Sequence, residues 1–215
     1  MDTCCETKAD ELSALRGKHR SILVTVLIIN AVLFFVEAAA GLLANSTSLL
    51  ADSLDMLGDS LVYGFSLYVL WRSAVWKAKA ALLKGIIMAG FGLGVLLEVI
   101  LKTMSGVVPG AATMGIVGTL VLVGNGICFL MLSRHRSDDL NMRSTWLCSR
   151  NDIIANLSVL VAAIGVGVFE AGWPDILVGA AIAALFLKSA FSVLQESLLQ
   201  LRMIRPRSAT PASSL

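Results

Sequence analysis

The stretch SLLADSLDMLGDSLVYGFSLYVLW, residues 48–71, is long enough to cross a bilayer as one helix, yet its first half carries Asp52, Asp55 and Asp59. About 20 consecutive, mostly apolar residues span the hydrocarbon core. Each ionised carboxylate at its centre costs roughly 2.5–3.5 kcal/mol on insertion scales. Residues four apart share a helix face, so Asp55 and Asp59 stack one turn apart, and Asp52 lies near the same face. A helix of this kind has to turn its acids toward other helices and away from lipid.

The rest of the chain supplies those helices. Apolar residues make up 57% of it and charged ones 15%, with a mean hydropathy of +0.82. A soluble domain carries about 25% charged residues, so a water-soluble enzyme is a poor fit. Six apolar stretches of spanning length follow one another at 21–43, 48–71, 80–102, 114–132, 145–169 and 174–198. Their connections are short, which predicts an all-α integral membrane protein, a bundle of six antiparallel transmembrane helices. Basic residues gather before span one (Lys8, Arg16, Lys18, Arg20), after span two (Arg72, Lys77, Lys79), after span four (Arg134, Arg136, Arg143) and after span six (Arg202, Arg205, Arg207). Lys102 is the exception to that alternation, which places both termini in the cytoplasm. The expected organisation is a cytoplasmic segment 1–20, a transmembrane domain 21–201 and a disordered cytoplasmic tail 202–215. The amino-terminal segment is too polar for a cleavable signal peptide. The net charge of +2 is uninformative about partners, and nothing points to nucleic acid.

Span five repeats the acidic pattern. In STWLCSRNDIIANLSVLVAA, Cys148 and Asp152 are four apart and Asn156 continues the row. Two helices thus each offer a pair of metal ligands at i,i+4: Asp55 with Asp59, and Cys148 with Asp152. Three carboxylates and one thiolate suffice for a tetrahedral site, which suits zinc or cadmium better than magnesium or calcium. The metal offsets the charge that makes the acids costly, and its entry displaces protons. No resident cofactor is expected, since the ion is the cargo. No G-x-x-x-x-G-K-[ST] phosphate loop occurs, so ATP drive is not encoded.

These motifs resemble the cation diffusion facilitator family of divalent-metal transporters, over nearly all of the chain to Leu201. TSLLADSLDMLGDSLVY follows the family's second-span segment, with Asp55 where many members have His. NAVLFFVEAAAG, residues 30–41, is similar to the first-span pattern, and CSRND matches the fifth. The resemblance implies a transport site of Asp55, Asp59, Cys148 and Asp152, six spans, and export of zinc or a related metal in exchange for protons by alternating access. It implies a multi-pass transporter, not an enzyme, in a bacterial inner membrane. Cys148 departs from the usual His or Asp, and a thiolate favours softer ions over manganese and magnesium. A further departure is the tail: typical members end in a cytoplasmic ferredoxin-like domain, so here a homodimer would be held by the membrane helices.

Secondary pathway candidates are Asp52, Glu37, Asn30 and Asn156. Glu37 lies seven residues after Asn30, on a similar face, and the resemblance implies that it lines the cytoplasmic cavity or aids proton movement. Glu98 and Lys102 are spaced as a structural ion pair. Gly90 and Gly94 form a G-x-x-x-G spacing, expected to pack within the bundle, with a dimer face as the alternative. Cys4 and Cys5 are adjacent thiols that chelate poorly, and His19 and His135 are interfacial. Competing readings are a proton-coupled transporter of organic cations, a non-transporting metal sensor and an intramembrane aspartyl hydrolase. The last needs two carboxylates where four ligand-type groups are present.

Overall fold

The computed structural model describes residues 20–69, 74–134 and 140–204. These form six helices: α1 (Arg20–Ala44), α2 (Thr47–Val69), α3 (Ala74–Ser105), α4 (Ala111–Ser133), α5 (Leu140–Phe169) and α6 (Trp173–Ile204). Five of them are long and apolar enough to cross a membrane by length and composition. The other is α2, as long as α4 but burdened by its three aspartates. Cys4, Cys5, His19 and His135 lie outside the described residues, as does the segment 205–215.

Helix α2 is the centre of the bundle, packing against α1, α3, α5 and α6. Its residues enter three apolar clusters among the described residues. Leu50, Ala51 and Leu54 meet Met88 and Val95 of α3 and Ala183 and Phe186 of α6. Leu49 meets Ala40, Met114 and Val159, while Met56 meets Leu33 and Val121. Elsewhere the usual arrangement is inverted: Phe35, Leu43, Ile116 and Leu185 are 69–84% exposed, as suits side chains that face lipid. No large apolar side chain of α2 is exposed among residues 47–61. The chain therefore puts the acidic segment 47–61 of α2 where lipid does not reach.

Two devices set the position of α2. Asn45 turns the chain between α1 and α2 with φ of 52°, a left-handed conformation that asparagine tolerates. The first turn of α2 is then capped from another helix. Asp175, in the first turn of α6 and fully buried, accepts bonds from Thr47 N (2.7 Å), Ser48 N (3.0 Å), Ser46 Oγ (2.7 Å) and Ser48 Oγ (2.6 Å). A carboxylate at a helix amino terminus satisfies the free N–H groups and opposes the helix dipole. The approach needs Gly179, where a Cβ would stand 2.8 Å from the Thr47 carbonyl carbon.

Helices α3 and α6 form another close pair, through Gly85 against Leu194 and Gly92 against Leu187. The expectation for Gly90 and Gly94 is corrected here. A Cβ on either would meet nothing within 4 Å, because both lie on the side of α3 turned away from α6. The Glu98–Lys102 ion pair is present, at 2.6 Å.

Candidate metal site

On a helix advancing 100° per residue, Asp52, Asp55 and Asp59 fall within a sector of about 60°, opposite the Leu50–Leu54 face. Asp52 and Asp59 are buried, and Asp55 is half-buried. That acidic face is turned toward α5. Asn156 Nδ2 donates to Asp52 Oδ2 at 2.6 Å, and Asn125 Nδ2 of α4 donates to Asn156 Oδ1 at 2.8 Å. All three side chains are 1% exposed, so the chain of bonds stitches α2, α5 and α4 together in the buried interior.

This stitch sets the register of everything below it. One turn from Asn156 along α5 is Asp152, half-buried, and one turn further is Cys148. From Asp52 the same direction leads along α2 to Asp55 and Asp59, since the two helices run antiparallel. From Asn125 it leads along α4 to Cys128, about 4.5 Å on, which is close to level with Asp152. Cys128 is an unbridged, buried thiol, and the charged groups that act on it are Asp152 and Asp59. Asp59 and Asp152 thus lie on the sides of α2 and α5 that carry the Asp52–Asn156 bond.

The described residues do not complete a metal cage. No three His, Cys, Asp or Glu side chains among them gather closely enough to hold an ion. Asp55, Asp59 and Asp152 each make other interactions. Cys148, by its position on α5, belongs to the same row, but its side chain lies outside the described residues. Asp55 also borders a cavity of about 510 Å³ between α5 and α6, lined by Asn151, Ser158, Ile182 and Ser189 among others. Most of its wall is apolar, and Asp55 brings the acidic face of α2 to its edge.

The secondary candidates separate in space. Glu37 of α1 is fully buried, and Asp52 and Asp55 are charged groups that act on it. Asn30 is buried too, but its amide donates to the Val26 carbonyl of its own helix at 2.9 Å and takes no part in the polar layer. Sequence reasoning passed over Asn125, Cys128 and Asp175. The signal for Asn125 was a lone amide in the apolar run VLVGNGICFL; Asp175 and Cys128 gave none without knowledge of their neighbours.

Six packed helices with lipid-facing apolar surfaces and a buried acidic face define a multi-pass membrane protein. Its family follows from comparison: the cation efflux transmembrane domain matches residues 23–202, and the chain belongs to that family. It is a membrane transporter of metal cations. Comparison with curated proteins finds no match.

Proposed function

We propose that this chain exports divalent metal cations, zinc or cadmium foremost, in exchange for protons by alternating access. Asp55 and Asp59 of α2 with Cys148 and Asp152 of α5 are the ligands in this reading, and both termini are cytoplasmic. The observation that carries it is the 2.6 Å bond from Asn156 to Asp52, because it turns the row on α5 toward the row on α2. A divalent ion between them offsets the charge of carboxylates held out of water, and their protons leave as it binds. One thiolate among oxygens directs preference to soft and borderline ions. The inner membrane of a bacterium and a homodimer joined through membrane helices complete the proposal.

The test is zinc and cadmium flux into proteoliposomes with an imposed pH gradient. The reading expects uptake that collapses with the gradient and is lost in Asp59→Ala and Asp152→Ala. Gradient-independent flux would remove the exchange, and unchanged variants would remove the site.

A further inference from the structure

Four buried side chains from four helices meet on the side of the metal row nearer the α1–α2 connection: Glu37 of α1, Asp52 of α2, Asn125 of α4 and Asn156 of α5. Each is at most 1% exposed. The two amides hand their donors in one direction, Asn125 to Asn156 and Asn156 to Asp52. That satisfies one oxygen of Asp52. Glu37 stands level with Asp52 across the α1–α2 pair, since Leu33 packs with Met56 and Ala40 with Leu49 on either side of it, yet neither of its carboxyl oxygens accepts a bond from any described donor. Asn125 Oδ1 likewise lacks a partner.

Among the described residues, the charged groups that act on Glu37 are of one sign. Asp52 and Asp55 face it from α2, and α4 and α5 offer the two amides, with Cys128 and Asp152 a turn further on. Helices α3 and α6 pack on the opposite side of α2 with Met88, Val95, Ala183 and Phe186. Two carboxylates side by side in such a place, with only acceptors left over, require a positive particle between them.

We propose that Glu37 and Asp52 together hold one proton, as a carboxyl pair that is separate from the metal row. The Glu37 hydroxyl donates to the Asp52 oxygen that Asn156 leaves unused, and the pair carries a single negative charge. Shared protons of this kind are the usual answer when like charges are forced together. Its role in exchange rests on the metal/proton reading above. When a divalent ion arrives beside Asp55, the O–H bond breaks, the proton passes to water and the pair becomes two carboxylates. When the ion leaves, the pair takes a proton back from water.

Infrared difference spectroscopy on the reconstituted full chain reads this directly. The metal-free protein at neutral pH is expected to show a protonated-carboxyl stretch that is lost in Glu37→Gln and displaced in Glu37→Asp. Adding zinc should bleach the band in the parent. Proton release read by a pH-indicator dye should fall by about one per zinc bound in Glu37→Gln while zinc still binds. A parent without the band, or a Glu37→Gln protein with the parent's band and proton count, overturns the proposal. The neutral-pH band needs no substitution, so the parent alone can refute the pair if a variant fails to fold. If the parent binds no zinc, the metal reading fails, while the band still decides whether the pair holds its proton.

Discussion

Asp52 is an acid whose purpose is changed by one neighbour. Alone on α2 it would be the costliest residue of a membrane helix; with Asn156 donating at 2.6 Å it fixes the meeting of α2 and α5. Asn156→Ala should destabilise the protein by about 1–3 kcal/mol, since it strands a buried charged acceptor. Reversible denaturation in mixed micelles measures this, and a loss near zero would mean that Asp52 finds another donor. Asp59→Ala and Asp152→Ala should each lower zinc flux by roughly tenfold or more, about 1.4 kcal/mol or above in transition-state terms. The pairs Asp55–Asp59 and Cys148–Asp152 were legible in the sequence because spacing within one helix is local information. Asn125 and Cys128 were not, because they approach the acidic face from α4, and no periodicity along α4 states which neighbour it faces.

At the scale of elements, the α1–α2 connection owes its place to a residue some 130 positions away. Asp175→Ala removes three bonds from the first turn of α2 and one from Ser46 just before it, and leaves Thr47 and Ser48 N–H groups buried without partners. Ordinary N-caps contribute about 0.5–2 kcal/mol, and burial raises this one to roughly 2–4 kcal/mol. The same micelle denaturation reads it, with Asp175→Asn expected to fall between parent and Asp175→Ala. The two glycine rows of α3 make an opposing pair. Gly92→Leu collides with Leu187 and should lower stability, whereas Gly90→Leu enters open space and should not. Both can be followed by thermal aggregation of the detergent-solubilised protein. The helices themselves outrun the apolar stretches that announce them. α3 begins at Ala74, where hydropathy begins at residue 80, because backbone hydrogen bonding continues past the hydrocarbon boundary. Apolar length marks the membrane's thickness, and helix length is a separate quantity.

For the whole molecule, the fold was legible because lipid imposes one rule on every segment: backbone groups must be satisfied within helices. Six stretches of spanning length gave six helices, with α2 admitted at the centre despite its acids. Which face of α3 meets α6 was not legible, since Gly90–Gly94 and Gly85–Gly92 are equally plain as spacings. Selectivity is also a property of the assembled site. Cys148→His should shift the metal ranking in vesicle transport away from cadmium toward zinc, because imidazole is a harder donor than thiolate. A ranking identical to the parent's would detach selectivity from that sulfur.

The proposed convergence of α2 and α5 on one cation is most directly read by X-ray absorption at the zinc edge of the loaded protein. A shell with one sulfur at about 2.3 Å and the rest oxygen is predicted, with the sulfur lost in Cys148→Ser and kept in Cys128→Ser. A first shell without sulfur, or one whose sulfur survives Cys148→Ser, would contradict the site.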